Sequence, residues 1–230
     1  MTGPGPENAP SPQPRPPAGS PSGSGPTMPN ASATWSQITS TQPVAGPAGL
    51  YYADVPNRII AQVIDAIIVG IVSLIVFAVL AAIFGSPTSV TAVPDPNSIL
   101  GVRFETKTNI LSLLINTLVA AALSAGYYIY TWTAMRGTVG QRLLGMQVGN
   151  ATDGATITME QAARRWLAVG GAFTLAQALN PLPGLGILIG LASLIWVIAL
   201  LVTTAQSPTK QGLHDRFANT VVVKAARAVS

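Results

Sequence analysis

The 230-residue chain contains no cysteine, a single histidine (His214) and few charged side chains. Without cysteine it has no disulfide framework, no thiolate metal site and no cysteine nucleophile. With one histidine it has no site that needs two. Charged residues make up 9% of the chain, whereas they make up about 25% of an ordinary soluble domain. Because hydrophobic residues reach 49% and mean hydropathy is +0.46, the composition predicts an integral membrane protein.

Motifs for catalysis or cofactor binding are also missing from the sequence. It has neither a G-x-S-x-G nucleophile motif nor a glycine-rich phosphate-binding loop. The pair His214-Asp215 lacks the further ligands of a metal-dependent hydrolase. We therefore expect no enzymatic activity, no cofactor and no metal. The net charge of +4 favours loops that face anionic membrane lipids over a nucleic-acid surface, which needs a dense basic patch.

The first fifty residues form a separate region. They contain 12 proline, 7 glycine and 7 serine residues, so we predict that residues 1–50 are a disordered cytoplasmic tail. Within it, we expect Ser11–Pro17 to be a solvated linker, with docking on a proline-recognition protein as the alternative. Residues 51–224 are predicted as the membrane domain and residues 225–230 as a C-terminal tail.

Long apolar stretches predict the membrane spans. Residues 59–84 and 110–132 each exceed the roughly 20 residues needed to cross the hydrocarbon core. A third apolar run is interrupted at Asn180–Gly184, where two prolines and a glycine predict a turn between helices. The two resulting spans cover about residues 166–180 and 184–204. Because 166–180 is short, a re-entrant segment is the alternative to a full span there.

The distribution of basic residues predicts the orientation. Ten of the 12 lysine and arginine residues lie with the two termini and the loop 133–165, and two lie in the loop 85–109. This positive-inside bias predicts cytoplasmic termini and an even number of crossings. We therefore expect an all-α fold, namely a four-helix transmembrane bundle with a small cytoplasmic interfacial loop, in a cell membrane. The dipeptide Asp153-Gly154 predicts a turn within that loop, in either a small hairpin or a pair of interfacial segments.

Several aromatic and basic residues near the inner ends of the spans are predicted to lie among the lipid headgroups. They are Tyr127, Tyr128, Tyr130, Trp132, Arg164, Arg165 and Trp166.

Asp65 is the least expected residue of the first span, because an ionised aspartate at mid-membrane costs about 2.5–3.5 kcal/mol. Arg58 lies two helical turns before it, and Gln62 lies between them on the same face. A carboxylate at this depth either pairs with a neighbouring helix or carries an ion or a proton. In the second span, a polar ridge that includes Asn116 offers one partner.

The residues with unusual positions form a recognisable set. Arg58 and Asp65 belong to the first span, and Gly212-Leu-His-Asp215 follows the last. Between them lies a loop motif of Thr138, Gly140, Arg142 and Gly145. Over about residues 52–224, this combination resembles the RDD family of bacterial membrane proteins, which is named for one arginine and two aspartates. The resemblance assigns Arg58 as the arginine, Asp65 as the first aspartate and Asp215 as the second.

Two classes of function remain open. Some RDD members are associated with cation/proton antiport, so the resemblance implies that Asp65, together with Asp215, exchanges a proton for a monovalent cation. Four spans without an internal repeat are few for a transporter, which implies a homo-oligomer. The alternative is a non-catalytic membrane adaptor or assembly protein whose tail and loop recruit partners.

Both hypotheses depend on how the polar residues are arranged. Since Asp65 is deep enough to need a partner, we expect Arg58, Asp65 and Asp215 to form one cluster facing the cytoplasm. The candidate ion-pathway residues are Arg58, Gln62, Asp65, Asn116, His214 and Asp215.

Overall fold

The computed structural model describes residues 44–182 and 184–224. Most of the predicted tail, residues 1–43, and the predicted C-terminal tail, residues 225–230, lie outside the described residues. Of the first fifty residues, only the last seven are described, and they contain a short 3₁₀ turn at Pro47–Gly49.

The described part of the chain is mostly helical. Its helices are α1 (Val55–Phe84), α2 (Ile110–Ala134), α3 (Val139–Leu143), α4 (Met159–Trp166), α5 (Ala172–Ala176), α6 (Leu185–Gln206) and α7 (Leu213–Phe217). Three of them, α1, α2 and α6, are long and apolar enough to cross a membrane. The shortest of these has 22 residues, which is about 33 Å of helix and exceeds the roughly 30 Å hydrocarbon core.

The surfaces of these three helices are suited to lipid. Large apolar side chains such as Ile71, Leu74, Ile187 and Ile195 are more than half exposed. Extended exposed apolar surfaces of this kind mark contact with a membrane or a partner protein. The chain is therefore a membrane protein, as its composition predicts.

The predicted span 166–180 is a series of short helical pieces. Helix α4 continues into a π-helical turn (Leu167–Gly171), then α5 and a 3₁₀ turn (Gln177–Leu179). Gly170 interrupts the regular helix with an extended φ of 175°. At the next residue, a Cβ on Gly171 would lie 2.6 Å from the indole of Trp166. This segment runs beside α6, where the Trp196 side chain donates a hydrogen bond to the Ala168 carbonyl (2.7 Å).

A three-stranded antiparallel sheet, absent from the predicted all-α fold, lies next to the helices. Its strands are β1 (Tyr51–Tyr52), β4 (Met146–Asn150) and β5 (Thr220–Lys224), in the order β1-β5-β4. Met146, Val148 and the valines of β5 are fully buried. Because β4 pairs with the distant β5, the hairpin alternative at Asp153-Gly154 is wrong. The turn exists, closed by a hydrogen bond from Asn150 to Ala155 (2.8 Å), but no strand follows it.

A second, two-stranded sheet forms the connection between α1 and α2. Strands β2 (Thr88–Pro94) and β3 (Val102–Thr108) pair antiparallel, with Val90 opposite Thr106 and Ala92 opposite Phe104. Both sheets correct the all-α prediction, since short strands of this kind carry a weaker sequence signal than long apolar helices.

Candidate functional site

Asp215 is completely buried and lies between two arginines. Its Oδ2 accepts a hydrogen bond from Arg58 Nη1 at 2.7 Å, and its Oδ1 accepts one from Arg165 Nη1. The Gly212 backbone N–H at the start of α7 also donates to Oδ2 (3.2 Å). Arg165 Nη1 further donates to Thr220 Oγ1 at 2.6 Å, in strand β5. These contacts connect α1, α4, α7 and β5 through one carboxylate.

The two guanidinium groups are held by further contacts. Arg58 donates to the backbone carbonyls of Ala53 (3.2 Å) and Val222 (3.4 Å). The guanidinium of Arg165 lies over the Trp132 ring, 5.1 Å from its centroid, which is a cation–π contact. Planar guanidinium groups suit such combined stacking and carboxylate binding better than an ammonium does.

The charges of this cluster perturb the acid–base behaviour of both acidic and basic groups. Burial by itself raises the pKa of Asp215, but Arg165 and Arg58 outweigh it and hold that pKa well below its ordinary value. Burial lowers the pKa of His214 to about 4; Asp215 opposes this shift, while Arg165 and Arg58 add to it. At neutral pH, the cluster therefore contains two cations, one anion and a neutral histidine.

Asp65 occupies a separate site, where its partners are neutral. It is 1% exposed. Its Oδ1 accepts hydrogen bonds from the Tyr127 hydroxyl (2.7 Å) and the Gly140 backbone N–H (2.8 Å). Within residues 44–182 and 184–224, no hydrogen bond reaches its other oxygen, Oδ2, and no basic side chain pairs with it.

The loop motif explains how Gly140 reaches Asp65. Thr138 caps α3: its hydroxyl accepts from the Gln141 N–H (3.2 Å), and the Gln141 side chain accepts from the Thr138 N–H (3.0 Å). A Cβ on Gly140 would lie 2.3 Å from the Ala61 carbonyl oxygen of α1. Glycine is therefore required for α3 to approach α1 closely enough to bind the carboxylate.

The sequence-predicted residues are divided between the two sites. Arg58 pairs with Asp215, whereas Asp65 binds Tyr127 and Gly140, so the single expected cluster is not formed. The reason is that the Arg58 side chain turns towards the sheet, where it contacts Val222. The expected partner Asn116 instead donates to the Ser112 carbonyl of its own helix (2.8 Å).

The remaining candidates lie at the edges of these sites. Gln62 donates to the Tyr128 hydroxyl (2.9 Å). Arg142 is exposed, and Gly145 has a φ of +70° that suits the turn between α3 and β4. Across the described ranges, no group of three or more histidine, aspartate or glutamate residues could hold a metal ion.

Sequence reasoning missed Arg165 and Tyr127, which it assigned to the lipid headgroups. The helical spacing offered a signal for Arg165, because Ala162, Arg165 and Trp166 share one helix face and all three are buried. Arg164 lies on another face and is exposed. The contact of Tyr127 with Asp65 joins residues far apart in sequence and had no local signal.

Replacing Arg165 should destabilise the fold far more than replacing its neighbour. In Arg165→Gln, Asp215 keeps Arg58 but loses its second arginine, so the free energy of unfolding should fall by about 1.5–3 kcal/mol, the range for hydrogen bonds to charged groups. Arg164→Gln is the matched control, because it removes only an exposed pair with Glu160, worth about 0.3–0.5 kcal/mol. Denaturant unfolding in detergent measures both. Similar losses in the two variants would contradict the cluster.

His214 should make the protein less stable in mild acid. Its pKa of about 4 is below the unfolded value of about 6.5, so the unfolded chain binds more protons between these values. Stability should fall by about 2 kcal/mol from pH 7 to pH 5. Because His214 is the only histidine in the chain, His214→Asn should flatten this dependence. An unchanged slope in His214→Asn would show that another group causes it.

Comparison with known proteins places these sites in a family. A family model described as the RDD family matches residues 52–219 of the chain. That range includes the three long helices and both aspartate sites. No curated protein and no solved structure gives a match. Since the family match covers well over half of its residues, the chain belongs to the RDD family.

Proposed function

We propose that this protein exchanges a monovalent cation for a proton across the membrane, and that Asp65 binds the two in turn. The observation that carries the proposal is the environment of Asp65. Its carboxylate is buried in an apolar helix and has neutral donors at one oxygen. A buried carboxylate that has no cationic partner is stabilised strongly when it binds a proton or a cation.

Asp215 is assigned a different role. Both of its oxygens bind arginines, so a cation there would have to displace a guanidinium group. The cluster around Asp215 therefore acts as a structural support in this proposal, and Asp65 acts as the exchange site. Tyr127 holds the bound form of Asp65 in position through its hydroxyl group.

The proposed topology has four crossings with both termini in the cytoplasm. The hydrogen bond between Trp196 and Ala168 supports a fourth crossing. Ala168 is eleven residues before Leu179, and Trp196 is eleven residues after Leu185. The 159–179 segment can thus run antiparallel to α6 over most of its length. Because four crossings provide few helices for an ion pathway, the proposal includes a homo-oligomer in the plasma membrane.

An assembly or adaptor protein is the second candidate, and one observation favours it. The close contact of Gly140 with Ala61 and Asp65 fixes α3 against α1, which is what a purely structural carboxylate would achieve. Under this alternative, Asp65 stabilises the cytoplasmic loop, and the loop and tail recruit partners.

Proton flux in vesicles distinguishes the two candidates. Purified protein is reconstituted with a trapped pH-sensitive dye, and a gradient of sodium or potassium is imposed. We expect the gradient to drive proton movement in the wild type and in Asp65→Glu, but not in Asp65→Asn, which cannot be ionised. Asp153→Asn, at an exposed turn, is the control and should retain full flux.

The interpretation requires that the variants are folded, which monodisperse elution in detergent establishes. Wild-type flux in a folded Asp65→Asn variant would contradict the role of Asp65. Wild-type protein that moves no protons with either cation would contradict transport and favour the assembly role.

A further inference from the structure

An apolar groove with a volume of about 520 Å³ lies between the interrupted helical segment, α6 and α7. Its walls are formed by Leu167, Ala172, Phe173, Trp196, Leu213 and Phe217. It is distinct from both aspartate sites, since neither carboxylate lines it. The interruption of the helix at Gly170 lies within this wall.

The groove has the chemical character of a hydrocarbon site. The indole N–H of Trp196 already has a hydrogen-bond acceptor, the Ala168 carbonyl. Its indole therefore presents carbon atoms to the groove. On the opposite wall, Leu213 and Phe217 are 36% and 62% exposed, so an occupant would cover apolar surface that is otherwise uncovered.

The groove lies beside the C-terminal half of α6. Trp196 lies ten residues before Gln206, the last residue of α6, which is about 15 Å along the helix. That distance is half of the roughly 30 Å hydrocarbon core. Since the Leu213 N–H donates to Thr203 Oγ1 (3.2 Å), the α7 wall of the groove lies beside this half of α6, which is long enough to cross one leaflet.

The end of the groove at α7 is basic. Arg216 lies next to Phe217, is exposed, and has no acidic partner among residues 44–182 and 184–224. Lys210 lies in the turn between α6 and α7. Arg164 lies one helical turn before Leu167 and Ala168, on the same face, but it pairs with Glu160, so the positive charge at this end comes from Arg216 and Lys210. These charges complement a phosphate group at the headgroup level.

We propose that this groove binds one acyl chain of an anionic phospholipid, and that Arg216 binds the phosphate of the same lipid. The apolar walls hold the chain along one leaflet, and the basic end selects the headgroup. The bound lipid would cover the exposed face of α7 and so stabilise the segment that carries Asp215.

Native mass spectrometry of the full-length protein tests this site. The protein in detergent is titrated with phosphatidylglycerol or phosphatidylcholine. We expect one tightly bound phosphatidylglycerol. Ala172→Phe fills the groove and should weaken its binding at least about tenfold, the effect of losing about two buried methylene groups. Ala122→Phe, the same change at an exposed position of α2, should bind as the wild type does.

A second variant tests the headgroup separately. Arg216→Gln should weaken phosphatidylglycerol binding more than phosphatidylcholine binding, because both lipids carry a phosphate but the choline ammonium offsets its charge in phosphatidylcholine. Equal lipid binding by the Ala172→Phe and Ala122→Phe variants would overturn the proposal. A protein dimer that is lost in Ala172→Phe, with no lipid bound to either variant, would also overturn it and assign the groove to a second copy. Neither result depends on ion flux, so the lipid site and the proposed transport function can fail independently.

Discussion

The described structure depends on the burial of one carboxylate between two arginines. Asp215 holds the start of α1 through Arg58 and the end of α4 through Arg165, and its own helix α7 leads directly into strand β5. Removing this carboxylate would leave two guanidinium groups without their shared countercharge, which is strongly destabilising in an apolar environment. The sheet, the short helices α4 and α7 and the long helix α1 therefore share one electrostatic centre, although Arg58 and Asp215 are 157 positions apart in the sequence.

The second aspartate is held differently, and this difference is the basis of the proposed function. Asp65 accepts hydrogen bonds from Tyr127 and Gly140, which are neutral donors. Such donors stabilise a carboxylate without occupying it with a permanent countercharge. In an RDD protein with one aspartate fixed by arginines, we propose that the other aspartate is available for exchange. Under this proposal, the cluster around Asp215 supports the fold and Asp65 is the exchange site.

Sequence reasoning predicts the elements that have strong local signals. The spans predicted at 59–84, 110–132 and 184–204 agree with α1, α2 and α6 to within four residues at both their first and last residues. The sheet was missed because β4 and β5 lie about seventy residues apart, and pairing over such a distance leaves no local pattern. Arg58 is found from its position two helical turns before Asp65, whereas Asp215 is assigned by the family resemblance. The partner Arg165 is not found in this way. Arg164 and Arg165 are adjacent in the sequence, and only the buried face of the helix shows which of them is buried.

The separation of the two sites is tested most directly by double-mutant cycles on the free energy of unfolding. The variants are Arg165→Gln, Asp215→Asn and Asp65→Asn, with the two double variants that contain Arg165→Gln. We expect a coupling of at least about 1 kcal/mol between Arg165 and Asp215, and additivity within about 0.5 kcal/mol for Arg165 and Asp65. Coupling of Arg165 to Asp65 as strong as its coupling to Asp215 would contradict two independent sites.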